Sequence, residues 1–176
     1  QCQSVRLLVG QFDLSRSQKR LLRLNQSFRV VEQDSQTLST QHYQLFCDYM
    51  ANRHQQVLTL AEATAQLQDT MGLGRQQHGC VLSAYQGDTL IACTVCDNLT
   101  DGISAVYTFY HSALAQKHSL GAYMILQTIL LAQQRNLPYV YLGFWIKDSP
   151  KMNYKTRYQP LEHWVDDRWQ YMPNSR

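Results

Sequence analysis

Apolar and polar positions change period several times along this chain, and each change predicts an element. Residues 3–9 (Gln-Ser-Val-Arg-Leu-Leu-Val) read as a strand. Ser15 and Ser17 precede a basic stretch, Lys19 to Arg23, that either starts a helix or stays a loop. From Thr40 the period turns helical: Tyr43, Phe46, Cys47, Tyr49 and Met50 share one face, and Ser39 or Thr40 is placed to cap it. A second helix is predicted over Glu62 to Thr70, broken by Gly72-Leu73-Gly74. Three short runs rich in β-branched and aromatic residues follow, at 80–86, 89–97 and 103–110. Gly87-Asp88 and Asn98 to Gly102 separate them, which predicts a three-stranded antiparallel meander. Ser119 then caps a helix from Leu120 to about Arg135, apolar nearly all round and so buried on several sides. Asn136-Leu137-Pro138 stops it, and Tyr139 to Trp145 returns as a strand whose Gly143 predicts a bulge or a close backbone approach.

A meander, a central helix and a strand returning beside the last one is the order of an acetyltransferase-like (GNAT-type) α/β core of the α+β kind. The helical link favours a parallel pair between 103–110 and 139–145. In such a core neighbouring strands splay and leave a cleft where an acyl donor and an amine can meet. The division expected is 1–38, the remnant of an N-terminal element with a basic segment, and 39–176, the transferase domain.

Composition narrows the class. Apolar residues make up 44% and charged residues 16%, with 22 glutamines scattered rather than in a tract, so a folded domain is expected and disorder is excluded. No apolar window is long enough to span a membrane, and the chain opens on Gln1 without a leader, reading as a cytoplasmic piece of a longer protein. The net charge of +3 is uneven: residues 1–30 carry +5, residues 31–146 carry −4 and residues 147–176 carry +2. If the basic ends meet in space they form a patch for a polyanion such as RNA; otherwise they are solvated faces. Five cysteines make no even framework, and Cys93-x-x-Cys96 lies in a strand, where odd spacing sends the two side chains to opposite faces. No second pair sits at zinc spacing, so no metal is expected.

The segment before the central helix bears on the acyl donor. Coenzyme A enzymes of this fold cradle the pyrophosphate on bare backbone there. Gln116-Lys117-His118-Ser119-Leu120-Gly121-Ala122-Tyr123 has one glycine and bulky Leu120 and Tyr123, which disfavours coenzyme A.

Longer motifs carry a resemblance. Ser119 to Tyr123, Leu137 to Ile146 and Pro150 to Leu161 are similar to the C-terminal domain of the aminoacyl-tRNA–protein transferases, most of all the bacterial aspartate/glutamate leucyltransferases. Ser15 to Arg20 with Asn25 matches the family's basic segment, Tyr49 with Arg53-His54 its Tyr-x-x-x-Arg-His, and Cys2 to Arg6 the end of its cysteine-rich element, most of which would precede Cys2. Asp101 to Phe109 also fits.

The resemblance implies transfer of leucine from leucyl-tRNA to proteins beginning with Asp or Glu, marking them for the N-degron pathway of protein degradation. Aminoacyl-tRNA would be co-substrate and no cofactor is implied. The alternatives are an arginyl-tRNA–protein transferase, a coenzyme A-dependent N-acetyltransferase, and a module that binds tRNA or acidic N-termini without chemistry. Attack of an amine on an aminoacyl ester needs positioning and oxyanion stabilisation more than a strong base. His54 and His118 are the candidate proton acceptors, and Tyr154 joins them from the polar and basic run Lys151 to Arg157. Arg53, Lys155 and Arg157 are candidates for the substrate carboxylate, with a structural ion pair to Asp148 or Glu162 as the competing reading. Tyr141, Phe144 and Trp145 are candidates for the leucyl pocket, and Lys19, Arg20 and Arg23 for tRNA phosphates.

Overall fold

The computed structural model describes residues 2–34, 37–70 and 79–173. Its strands are β1 (Cys2–Leu8), β2 (Arg29–Asp34), β3 (Gly79–Gln86), β4 (Thr89–Leu99), β5 (Gly102–Tyr110), β6 (Tyr139–Ile146), β7 (Leu161–Val165) and β8 (Arg168–Tyr171). The helices are α1 (Arg16–Leu24), α2 (Thr40–His54), α3 (Leu60–Thr70), α4 (Ser112–His118) and α5 (Leu120–Gln134), with a 3₁₀ turn at Asn153–Arg157. The strands form one mixed sheet in the order β2-β3-β4-β5-β6-β1-β7-β8. The stretch expected as a separate remnant, 1–38, contributes β1 between β6 and β7 and β2 at an edge, so both expected divisions share this sheet. The glycine break expected at 72–74 lies outside the described residues. No helix among the described residues is long and apolar enough to cross a membrane.

Local chemistry explains the helix starts. Ser15 accepts from the Gln18 N–H while the Gln18 side chain accepts from the Ser15 N–H, a reciprocal box that makes the basic stretch helical rather than loop. At α2 the Ser39 N–H donates to His42 Nδ1 at 3.1 Å, which leaves His42 Nε2–H to donate to Ser83 Oγ at 2.9 Å. Burial holds this imidazole below its ordinary pKa, as the neutral form requires. Ser119 stands at the start of α5 as expected but does not cap it: its φ is 45° and its side chain makes no capping bond.

Alternation along the strands sends side chains into two layers. Leu120, Tyr123, Met124, Ile125, Leu126 and Ile129 of α5 pack on one face against Leu82, Ile103, Val140, Val5 and Leu7. The other face takes α2 and α3, with Phe46, Met50, Ala63 and Leu67 against Val81, Val95 and Phe109. Cys93 lies in that second layer and Cys96 in the first, as their spacing requires.

Across β6, β1, β7 and β8 an arginine replaces the helix. The Arg6 guanidinium lies between the rings of Tyr139 (3.6 Å) and Trp169 (4.2 Å) and donates to Glu162 at 2.8 Å. Removing one partner of a buried ion pair costs about 3–5 kcal/mol, and here two ring faces remain as partial compensation. Glu162→Ala is therefore expected to cost about 2–3 kcal/mol in urea unfolding, and Glu162→Gln less.

Candidate active site

The sheet opens where β5 and β6 part. They pair in parallel, as the helical link predicts, but only over Gly102–Ser104 against Tyr139–Tyr141. Beyond that stretch β5 stays on β4 as far as Tyr110, and β6 stays on β1 as far as Ile146. A register irregularity follows on each side. In the β4–β5 pair Val106 is extra, and in the β1–β6 pair Leu142 is extra. A bulge bends and twists its strand, so two of them just past the last shared pair splay the strands into a V. Gly143 sits at the second with φ +75°, a conformation that suits glycine.

One arm of the V carries tyrosines. Tyr49 of α2 packs edge-on against Tyr107 (6.2 Å), Tyr110 (5.1 Å) and His54 (5.6 Å). Tyr154, from the 3₁₀ turn, lies near Tyr110 and Tyr158. Burial raises the pKa of Tyr49, Tyr107, Tyr154 and Tyr158, so these phenols remain protonated donors at neutral pH. At the head of α5, a Cβ on Gly121 would stand 3.1 Å from the Tyr110 ring. That ring covers the backbone on which a pyrophosphate would otherwise rest.

The other arm is Gly143, Phe144 and Trp145 with Lys155 laid against them. Lys155 is 8% exposed, its Nζ donates to the Phe144 carbonyl, and a Cβ at Gly143 would stand 3.8 Å from that nitrogen. No carboxylate partners it among the described residues. Desolvation lowers the Lys155 pKa, with the Cys2 sulfur partly offsetting it. The indole N–H of Trp145 is buried and has no acceptor among the described residues.

The candidates from the sequence therefore divide. Tyr154, Lys155 and Phe144 line the opening, His54 stands at its edge beside Tyr49, and Trp145 packs against the core under α5. Arg53 is exposed at the end of α2. Tyr141 belongs elsewhere: its ring is at the closed end of the V against Trp169, and its hydroxyl donates to Asp101 at 2.8 Å. His118 is committed as well. Its Nδ1 lies 2.7 Å from Asn25 Oδ1, the Asn25 amide donates to the His118 carbonyl at 2.8 Å, and Phe28 packs on its ring. This buried clasp ties the end of α1 to the end of α4 and engages Nδ1 of the ring. Asn25→Ala leaves both His118 groups unpaired, an expected loss of about 1–3 kcal/mol in chemical denaturation.

Lys19, Arg20 and Arg23 are exposed on α1. The Gln18 side chain donates to the Arg157 carbonyl at 3.4 Å, so the two basic ends of the chain do meet, with exposed Arg157 beside α1. None of these cations is ion-paired among the described residues. Tyr49, Tyr107 and Tyr110 were not singled out as site residues by sequence reasoning. Their available signal was position: Tyr107 and Tyr110 close the last strand before the helical segment, and Tyr49 opens the Tyr-x-x-x-Arg-His motif.

Comparison with known proteins agrees with this geometry. The family model described as "Arginine-tRNA-protein transferase, C terminus" matches residues 41–165. An aspartate/glutamate leucyltransferase of Rhizobium johnstonii is 36% identical over 96% of this chain and 69% of its own length. One from Nitrosococcus oceani is 38% identical over 96% and 70%. Among solved structures, L-PGS from Bacillus licheniformis superposes with a TM-score of 0.56 at 8% identity, over 85% of this chain and 48% of that one. This second likeness concerns the fold alone.

Proposed function

Since the chain belongs to the arginine-tRNA-protein transferase family, we propose that it transfers leucine from leucyl-tRNA to the α-amino group of proteins beginning with Asp or Glu. The buried Lys155 ammonium carries this reading. A lysine taken out of water without a carboxylate is costly, and a substrate carboxylate reaching the bulge at Gly143 supplies the missing charge. Arg157 and Arg53, both exposed, serve the surrounding polyanion or peptide.

With the acidic side chain held at Lys155, the substrate α-amine attacks the aminoacyl ester carbonyl within the V. The C–N bond forms, the ester C–O bond breaks, and the terminal ribose hydroxyl of the tRNA takes up a proton as it leaves. The α-amine has a pKa of about 7.7–8.0, so a neutral fraction exists near pH 7 and His54 at the rim suffices as proton acceptor. The protonated phenols, Tyr154 foremost, are donors for the developing oxyanion. Phe144, 62% exposed on the same arm, is the apolar surface offered to the leucyl side chain. The phosphates of the acceptor end lie along α1 and Arg157.

Tyr110 over Gly121 argues against a coenzyme A pyrophosphate at the head of α5. The test is incorporation of labelled leucine from leucyl-tRNA into peptides differing only in residue one. Labelling of Asp- and Glu-initiated peptides and not of an Ala-initiated one is expected. Equal labelling of all three would overturn the proposal.

A further inference from the structure

Cys96 has a thiol neighbour that its sequence motif hides. Cys93 points into the opposite layer, but β3 and β4 place Cys80 directly across from Cys96 in the antiparallel register. Directly opposed antiparallel residues have Cα atoms about 4.5–5.5 Å apart, inside the roughly 4.4–6.8 Å range that a disulfide spans. Both side chains lie in the same layer and both cysteines are free.

The pair is asymmetric. Cys96 is fully buried, whereas Cys80, 3% exposed, lines the floor of an open pocket of about 540 Å³ with Glu32, Gln33, Asp34, Asn98 and Leu99. Cys80 Sγ lies 3.6 Å from Asn98 Oδ1, and Arg135 donates to that same oxygen at 2.8 Å, which brings a guanidinium beside the sulfur. The Arg135 cation favours thiolate, the nucleophilic form, while Glu32, which is ion-paired with it, acts in the opposite sense. The neighbouring Cys96 thiol lowers the Cys80 pKa, and desolvation opposes that shift. This pocket adjoins the β4–β5 turn, at the closed end of the V, and the proposed transfer chemistry uses none of it.

We propose that Cys80 and Cys96 are a redox-active dithiol which a hydroperoxide entering this pocket converts to a cross-strand disulfide. The Cys80 thiolate attacks the terminal peroxide oxygen and the O–O bond breaks, giving a sulfenic acid on Cys80 and, after protonation, one water or alcohol. The Cys96 thiol then attacks the Cys80 sulfur, the S–S bond forms and water leaves. Two thiols lose two electrons and two protons in all, and the peroxide is reduced.

The unmutated chain is treated with hydrogen peroxide until exposed Cys2 has reacted, then denatured, alkylated and mapped by mass spectrometry. The expected product is one Cys80–Cys96 cross-linked peptide pair, lighter by two hydrogens and restored by dithiothreitol. In Cys96→Ala the reaction is expected to stop at a dimedone-reactive sulfenic acid on Cys80. Full alkylation of Cys80 and Cys96 after Cys2 has oxidised overturns the proposal. So does a disulfide that joins either of them to a different cysteine.

Discussion

Lys155→Met is expected to lower kcat/KM for an Asp-initiated peptide by about 100-fold, the loss of roughly 3 kcal/mol that follows when one partner of a buried charge pair is removed. The methionine keeps the length and most of the packing of the lysine stem. It also removes a desolvated charge that has the Phe144 carbonyl and the Tyr154 ring beside it but no carboxylate among the described residues. Unfolding of the variant is therefore expected at equal or higher denaturant, so activity and stability move in opposite directions. A merely structural lysine would lower both. The pH dependence carries its own sign. Because the folded-state pKa is depressed below 10.5, the burial cost is complete below that folded value and vanishes above 10.5. The stability of the unmutated chain relative to Lys155→Met should accordingly rise with pH as 10.5 is approached from below. A flat difference across that range would place the ammonium in water.

The combined change Lys19→Glu, Arg20→Glu and Arg23→Glu is expected to weaken tRNA binding by at least tenfold near 0.1 M salt and to flatten the log–log salt slope by about two to three. All three side chains are exposed on one nine-residue helix and are unpaired among the described residues, so the fold has little reason to change. Arg157→Glu extends the loss, because Gln18 holds its backbone against α1. Filter binding over a salt series, with circular dichroism on the same samples, reads both quantities. Unchanged affinity would leave this strip as solvated surface and send the search for the RNA contact to the rim around Arg53.

Elements with strong local signals were legible. The β3–β4–β5 meander announced itself through β-branched runs and Gly87-Asp88, and the bulge at Gly143 through a lone glycine in a strand. β2 was hidden because Arg29–Asp34 is an edge strand with charged and polar side chains rather than a clean alternation. β7 and β8 were hidden because their turn uses Asp166 and Asp167, both at positive φ, where glycine or asparagine is the usual cue. The insertion of β1 between β6 and β7 depends on pairings across most of the chain, which periodicity cannot express.

The candidate site divides along the same line. Tyr154 and Lys155 stood out as members of one dense polar run, and the structure keeps them together. The tyrosine arm is assembled from α2, β5 and the 3₁₀ turn only because two bulges splay the sheet. The clasp between His118 and Asn25 was not legible because the two are 93 residues apart. Tyr141 resembled a pocket aromatic for the same reason: Asp101, Arg6 and Trp169 converge on it from three separate segments.

The central claim is that a buried ammonium inside the V reads a carboxylate on the acceptor's first residue. Its most direct test compares leucine transfer to two peptides identical except for Asp or Asn at position one, which share shape and differ in charge, using the unmutated chain and Lys155→Met. The unmutated chain should favour Asp by about 100-fold and the variant should treat the two alike. Preference for Asp that survives loss of the lysine, with both rates reduced together, would contradict it.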